Sequence, residues 1–261
     1  MNLTDLTLED LYKGKATLIK DNKFCSAQSY IEPFIDRVDK LCQGNFIIKA
    51  VPAKQISLTS NGDVNTEDLV FNRINIEAVI PGEYEFEGHE KAIGMVYGLD
   101  TRKPVAKFYT GALRSACTNL CVFNPSALRV QEILPESPLD YTLVDDVVKM
   151  TAVIGEILQR ISTQRYTKEG THKMLGRFID NCINLKFHSD FGTIKVAESA
   201  PISAYKSLFY DEDSEYYAPN DEVTGFQIYN ALTDVICNSK SADIVNRFEK
   251  IYLAGRIMNL C

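Results

Sequence analysis

The hydrophobic pattern of this 261-residue chain changes its period part-way along, and that change limits the folds open to it. Between residues 45 and 112 apolar and polar side chains alternate, which is typical of strands. From residue 138 onward apolar residues recur every three or four positions, which is typical of amphipathic helices. A strand-rich half followed by a helix-rich half predicts an α+β fold.

The strand-rich half is predicted to be an antiparallel β-meander of five or six strands. Two extended runs lead to an Asn61-Gly62 turn, and a later alternating run breaks at Pro81-Gly82. The sequence KAIGMVYGLDTRKPVAKFYTG predicts a hairpin around residues 100–103. The acidic segment EYEFEGHE is expected at a solvated sheet edge, because charge there discourages edge-to-edge pairing.

Helices are predicted on either side of the meander. Thr7 and Asp10 frame a short helix with a capping-box-like start, and a second helix covers residues 29–42 with Gly44 as its C-cap. One long amphipathic helix is predicted over residues 138–165. Further helices are predicted in KEGTHKMLGRFIDNCINL, TGFQIYNALTDVICN and SADIVNRFEKIYLAGRIMNL, and YDEDSEYYAPNDE is predicted to be a loop.

These elements are predicted to form a single domain with three parts. Residues 1–44 carry the N-terminal helices, residues 45–135 the β-meander and residues 136–261 the helical half. The strand half alone has too few alternating apolar positions to bury both of its faces. The helices of the C-terminal half are therefore expected to cover one side of the sheet.

The charge and the cysteine content restrict the classes of protein to which this chain can belong. With 28 Lys and Arg against 35 Asp and Glu, the net charge of −7 excludes a uniformly basic DNA-binding domain, although a local basic groove stays open. Seven Cys scattered among apolar residues predict reduced, buried thiols and a cytoplasmic protein. The acidic N-terminus does not resemble a signal peptide, and no apolar run is long enough to predict a membrane span.

Catalytic and metal-binding patterns are sparse. The sequence holds no G-x-S-x-G, P-loop, H-E-x-x-H or dinucleotide fingerprint, so no enzyme activity, catalytic residue or cofactor is predicted. Cys117 and Cys121 lack the partners of a zinc site, and a buried structural thiol is the simpler interpretation of Cys117. Glu83, Glu85 and Glu87 share a strand face that could bind a divalent metal, but a solvated edge strand is the favoured interpretation, because the Lys or Asp partner of a metal-dependent nuclease is not evident.

A basic segment interleaved with aromatic residues is the strongest functional signal. On a strand, Lys107 and Tyr109 share one face while Phe108 takes the other. Cations beside aromatic rings are what a single-strand groove needs, although an ordinary hairpin tip would also be polar. The predicted nucleic-acid contacts are Arg102, Lys103, Lys107, Tyr109 and Arg114. A second basic set is predicted to be a surface helix face: Arg160, Arg165, Lys168, Lys173 and Arg177.

The segment FYTGALRSACTNLCVF resembles the signature region of a phage- and plasmid-related family catalogued as domain of unknown function nine-three-two. Arg114, Cys117 and Asn119 fall on that family's Arg-x-x-Cys-x-Asn spacing. The segment GFQIYNALTDVI is similar to the family's aromatic helix with an Asn-x-x-Thr element, matched by Asn230 and Thr233. The family has no settled activity, so the resemblance implies a phage or plasmid origin and no mechanism.

Two classes of function remain open. The first is a phage- or plasmid-encoded, non-enzymatic protein of DNA metabolism that binds single-stranded DNA as an oligomer. A looser similarity to phage single-strand annealing proteins of the Rad-fifty-two-like type implies strands bound along a groove of a ring. The alternative is a virion component or an acidic inhibitor of a host protein, since an acidic surface can meet a basic partner. The expected partners are single-stranded DNA, a second copy of the chain and a host protein, and no membrane.

Overall fold

The structure is a computed structural model of the whole chain, and it describes fifteen parts of it. They are residues 4–13, 15–18, 23–26, 28–52, 70–81, 89–98, 105–114, 120–121, 128–132, 139–184, 188–189, 192–193, 199–238, 251 and 254–255. The turn at Asn61-Gly62, the hairpin tip and most of the acidic strand lie outside the described residues, as does nearly all of the last predicted helix.

The central sheet is assembled from nine strands. Strands β4, β5, β6 and β7 are consecutive neighbours, so the predicted meander is confirmed for them. The path runs β1-β4-β5-β6-β7-β8, while β2 pairs with β3 and, in parallel, with β5, and β9 pairs with β7. The strands are β1 Thr4–Leu6, β2 Lys15–Leu18, β3 Lys23–Ser26, β4 Phe46–Pro52, β5 Val70–Ile80, β6 His89–Gly98, β7 Val105–Arg114, β8 Leu120–Cys121 and β9 Leu128–Glu132.

Seven helices complete the described structure, together with two short ladders. The helices are α1 Leu8–Lys13, α2 Gln28–Cys42, α3 Thr142–Lys149, α4 Thr151–Thr163, α5 Lys168–Asn184, α6 Ser199–Phe209 and α7 Gly225–Asn238. The ladders pair β10 Arg165–Thr167 with β13 Glu222–Thr224, and β11 His188–Ser189 with β12 Gly192–Thr193. The α+β fold class is therefore confirmed.

The chain divides into two compact units. The first contains Met1–Glu83, Lys91–Thr110 and Leu128–Lys149, and the second contains Tyr84–Glu90, Gly111–Ala127 and Met150–Cys261. Most of the strands belong to the first unit, and helices α4 to α7 belong to the second. The single-domain organisation with parts ending at residues 44 and 135 stays a prediction.

The core of the first unit lies between the sheet and α2. Ladder register places Ile76 of β5 between Ile48 of β4 and Met95 of β6, and all three are buried. Phe34 of α2 stacks on Phe108 of β7, with ring centroids 6.4 Å apart. In this unit α2 packs against the sheet, and the same core includes Val144 and Val147 of α3, the first helix of the C-terminal half.

Helix starts and stops follow the sequence signals closely. The Thr7 backbone N–H donates to Asp10 Oδ2 at 3.0 Å and the Asp10 N–H donates to Thr7 Oγ1 at 3.1 Å, which is a complete capping box. The Thr7 hydroxyl also donates to Asp10 Oδ2 at 2.6 Å, and this hydrogen bond, together with the one from the Thr7 N–H, holds the pKa of Asp10 below its usual value. Gly44 after α2 adopts a positive φ of 77°, as the predicted C-cap requires.

The prediction of one long helix over residues 138–165 is wrong. Two helices, α3 and α4, occupy this region, and they are separated at Met150. The sequence around the break, VVKMTAV, is rich in β-branched residues, which lose side-chain freedom in a helix and lower its propensity. The apolar stripe continues across the break, so periodicity alone could not reveal it.

Among the described residues, none of the helices combines the length and the hydropathy that crossing a bilayer requires.

Helix α5 contains a glycine whose replacement should stabilise the protein. A methyl group built on Gly176 meets no atom within 4 Å outside its own turn of helix. Gly176→Ala should raise the free energy of unfolding by about 0.5–1 kcal/mol, because glycine in a helix interior loses more backbone entropy than alanine. Urea denaturation measures the change, and a lowered midpoint would contradict the described environment of Gly176.

Candidate nucleic-acid interface

The hairpin residues predicted to contact nucleic acid lie in different surroundings in the structure. Arg102 and Lys103 lie outside the described residues, and Arg114 ends β7 with a side chain that is also outside them. Lys107 and Tyr109 share one face of β7, opposite Phe108, as alternation predicts. Both are buried, with exposed fractions of 2% and 0%.

This burial bears directly on the expected groove. A phosphate contact and a base stack both need an exposed side chain. In this structure neither Lys107 nor Tyr109 is accessible to a strand, which corrects the expectation of an open groove at these two positions. Nucleic-acid binding by the hairpin stays a prediction, and the function proposed below does not rest on it.

Tyr109 belongs instead to a buried polar network on the sheet. Its ring lies across Gly94 of β6, so close that a Cβ on Gly94 would sit 1.9 Å from Tyr109 Cζ. The hydroxyl lies 2.8 Å from Asn75 Oδ1 and 3.1 Å from Glu77 Oε1, and its single proton serves these two acceptors. Asn75 Nδ2 donates to Glu77 Oε1 at 3.1 Å. The buried carboxylate of Glu77 is thereby hydrogen-bonded, as a buried charge must be.

The residues singled out by the family resemblance fall into two groups. Cys117 and Asn119 lie outside the described residues. Asn230 and Thr233 lie in α7 with exposed fractions of 3% and 0%. The Thr233 hydroxyl is 2.9 Å from the Tyr229 carbonyl oxygen, a bond within the helix. The Thr233 side chain therefore makes a hydrogen bond within α7 and does not face solvent.

The acidic segment ends in a strand that is not at the sheet edge. Glu83, Glu85 and Glu87 lie outside the described residues, but His89 begins β6, which has neighbours on both sides. His89 is buried and packs edge-on against Phe226 of α7, with ring centroids 5.0 Å apart. The register of β6 with β5 runs from Gly98 to Lys91 and stops short of His89, so the edge position expected for the acidic segment stays a prediction.

The second basic set lies on the surface, as predicted. Arg160, Arg165, Lys173 and Arg177 are exposed, and the side chain of Lys168 is 31% exposed. Their surface position is as predicted, but they lie on α4, β10 and α5 and do not form a single helix face.

Helix α6 brings aromatic rings to these cations. The Lys168 ammonium lies 4.3 Å from the centre of the Tyr210 ring, within the range of a cation–π contact. Tyr205 packs against His172 of α5 at 5.6 Å and against Tyr210 at 6.1 Å. We call this region the α5–α6 surface, and it comprises Lys168, His172, Lys173, Tyr205, Lys206 and Tyr210.

The outward stripe of α6 is unusually exposed. Tyr210 is 65% exposed and Ile202 is 51% exposed, and among the described residues Leu41 is the one other large apolar side chain of this kind. Exposed Lys206 lies between Ile202 and Tyr210 at four-residue spacing, so the three share one face of α6. Two exposed apolar side chains around a lysine form a continuous strip that could receive a ligand.

Each lysine of the α5–α6 surface has a different electrostatic setting. Lys168 Nζ pairs with Asp221 Oδ1 at 3.4 Å, and Lys173 Nζ pairs with Glu169 Oε1 at 2.6 Å. Desolvation acts to lower the pKa of Lys168, but the interactions with Asp221 and Tyr210 outweigh it and raise that pKa, so the side chain stays charged at neutral pH. No carboxylate of the described residues lies within ion-pair distance of Lys206.

An acidic loop adjoins this surface, and its conformation is defined. Tyr210 opens the loop and Asp221 closes it, and Lys168 contacts both, so the loop ends are close together. The Ala218 N–H donates to the Leu208 carbonyl at 2.8 Å, and Tyr216 is buried. Closed ends and inward packing are features of an Ω-loop. Besides Asp221, its exposed carboxylates are those of Asp211, Glu212, Asp213 and Glu215.

The sequence interpretation missed α6 and therefore the aromatic half of this surface. The buried residues Ala200, Ala204 and Leu208 recur at four-residue spacing, so a helical signal was available. Pro201 obscured it, although proline is tolerated in the first turn of a helix. Recognising this helix would have placed Tyr205 and Tyr210 near one another before the structure was known.

Comparison with protein-family models, with curated proteins and with solved structures finds no match to this chain. Membership of the phage- and plasmid-related family accordingly stays a prediction. Within the described residues, no group of three His, Cys, Asp or Glu side chains is placed to hold a metal ion.

The contact between Tyr109 and Gly94 yields a stability prediction. Gly94→Ala should lower the free energy of unfolding by about 1–3 kcal/mol, because the added methyl group overlaps the ring and must displace it. Urea denaturation of Gly94→Ala, Tyr109→Val and the double variant measures the coupling. Gly94→Ala should lower the free energy of unfolding much less in the Tyr109→Val background, where the ring is absent. Equal costs in both backgrounds would contradict this explanation.

Proposed function

We propose that this chain is a non-enzymatic protein that binds single-stranded DNA through the α5–α6 surface. The observation that carries the proposal is the contact of the Lys168 ammonium with the ring of Tyr210, 4.3 Å from its centre, in a residue that is 65% exposed. An exposed ring offers a face on which a base can stack, and an adjacent cation neutralises the phosphate that accompanies the base.

The arrangement of the other residues supports the same ligand. Lys206 precedes Tyr210 by one helical turn, and the Tyr210 N–H donates to the Lys206 carbonyl oxygen at 2.9 Å, so the two residues are neighbours along the helix axis. Tyr205 adds a second ring, and Lys173 adds a further exposed cation on α5. Rings and cations interleaved along two helices can follow a strand without reading its sequence, because every base has a face that stacks.

Charge limits the affinity of one such surface. The chain carries a net charge of −7, and the carboxylates of the acidic loop lie directly after Tyr210. Binding therefore depends on a few local cations and should weaken steeply with salt, since each phosphate contact releases a counterion. Self-association would present several copies of the surface to one strand and raise the effective affinity without new contacts. We therefore propose that the chain binds strands as an oligomer. The family resemblance supports the further proposal that a phage or plasmid encodes it and that it acts in the host cytoplasm.

A second candidate function is docking onto a basic protein. Ile202 is 51% exposed beside Tyr210, and exposed carboxylates lie in the adjacent loop. An apolar and aromatic centre with a charged rim is common in protein interfaces, and an acidic rim complements a basic partner. A host protein inhibited by this chain, or a component of a virion, would fit this chemistry.

Replacing Tyr210 tests the first function. Fluorescence anisotropy with labelled oligothymidylate at about 50 mM salt should give a Kd between about 10⁻⁶ and 10⁻⁴ M for the unmodified chain. Tyr210→Ala should weaken binding about 5- to 100-fold, the loss of one base stack. Lys206→Gln should flatten the dependence of log K on log salt by about 0.7.

The matched control is Leu41→Ala, which removes an exposed large apolar side chain from α2 and should leave binding unchanged. Absence of strand binding up to about 100 µM at low salt would reject the first function. Equal effects of Tyr210→Ala and Leu41→Ala would also reject the assignment to this surface. Binding of oligolysine that is lost in Tyr210→Ala, with no binding of the strand, would favour the second function.

A further inference from the structure

We propose that Asp221 acts as an internal substitute for a strand phosphate at Lys168 and is displaced when single-stranded DNA binds. This inference rests on the function proposed above. It assigns to Asp221 a regulatory role at the same surface. The Asp221 carboxylate lies 3.4 Å from Lys168 Nζ, the position that a phosphate oxygen of a strand stacked on Tyr210 would need.

The geometry of the pair makes the exchange feasible. The side chains of Lys168 and Asp221 are 31% and 67% exposed, so the pair is solvated and weak. A phosphate oxygen brings a charge of the same sign and the same hydrogen-bond accepting character to the ammonium. A strand that gains further contacts at Tyr210 and Lys206 can therefore replace the carboxylate at little cost.

The loop does not need this side-chain contact to keep its place. The Lys168 backbone N–H donates to the Asp221 carbonyl oxygen at 2.9 Å. The neighbouring residues Thr167 and Glu222 are paired in the antiparallel ladder of β10 with β13. The backbone of Asp221 is thus held by hydrogen bonds that survive departure of its carboxylate from Lys168.

Competition between Asp221 and a phosphate for Lys168 would also determine which ligands bind this surface. An isolated phosphate must displace Asp221 with no other contact to offset the lost ion pair. A strand adds base stacking and a second phosphate, so it can displace the carboxylate where inorganic phosphate cannot. Asp221 would accordingly make the surface respond to polymeric single strands and ignore small phosphate compounds.

Asp221→Asn is a clean variant for testing the proposal. Asp221 adopts a positive φ of 56°, a conformation that asparagine tolerates well among non-glycine residues. The substitution removes the negative charge while preserving size and backbone. Asp211→Asn is the matched control, because it removes the same charge from the opposite end of the same loop, and Asp211 has no described contact with Lys168.

Anisotropy titrations with oligothymidylate compare the unmodified chain with both variants. Asp221→Asn should bind about two- to five-fold more tightly, the effect of releasing one exposed ion pair. Its dependence of log K on log salt should keep the slope of the unmodified chain, because a strand phosphate contacts Lys168 in both chains. Asp211→Asn should show a smaller gain in affinity. Inorganic phosphate matched to the strand's total phosphate should not displace the strand from the unmodified chain or from Asp211→Asn, whereas it should compete measurably with the strand in Asp221→Asn.

Equal gains in both variants would overturn the proposal, because a general charge effect would then explain them. Weaker binding by Asp221→Asn would overturn it too, since the pair would then support the binding conformation. Displacement of the strand from the unmodified chain by inorganic phosphate would overturn the selectivity for strands, as would equal competition by phosphate in the unmodified chain and in Asp221→Asn. These outcomes leave single-strand binding itself intact, whereas failure of all three chains to bind rejects both the function and the inference.

Discussion

The fold of the first unit depends on the alternation along β5, β6 and β7, which gives the sheet two chemically different faces. One face is apolar and packs against α2, with Phe34 on Phe108 at its centre. The other face carries Asn75, Glu77 and Tyr109, and there hydrogen bonds rather than apolar contacts satisfy the buried groups. A shift of register by one residue would exchange these sets and bury Glu77 against α2, so the alternation fixes the pairing of the strands.

This two-faced sheet also explains why Lys107 and Tyr109 do not line an open groove. Alternation correctly placed Lys107 and Tyr109 on one face, but it could not distinguish an exposed polar face from a buried one whose polar groups are satisfied. The distinguishing information lies in residues far along the chain. Tyr109 reaches Asn75, 34 positions away, across a glycine that removes the side chain in between. No local pattern records such a partnership.

Sequence patterns correctly predicted the features that depend on interactions between residues close together in the chain. The capping box at Thr7 and Asp10 and the positive φ of Gly44 depend on a few neighbouring residues, and the structure has both as predicted. The break at Met150 was missed because the apolar stripe is continuous across it, and α6 was missed because Pro201 hid its periodicity. About half of the candidate site was therefore visible from sequence, namely the cations of α5, while the rings of α6 were not.

The candidate interface shows why net charge is a poor guide to the ligand of this chain. Its charge of −7 is an average over groups that the fold separates or brings together. The fold places Lys168 in contact with the exposed ring of Tyr210 and with the carboxylate of Asp221. At physiological salt, exposed charges more than about 8 Å apart are largely screened from one another. The electrostatic potential at the candidate interface is therefore set mainly by the groups immediately around Lys168, Lys206 and Tyr210. Carboxylates elsewhere in the chain affect it only where they lie close enough to compete for these lysines.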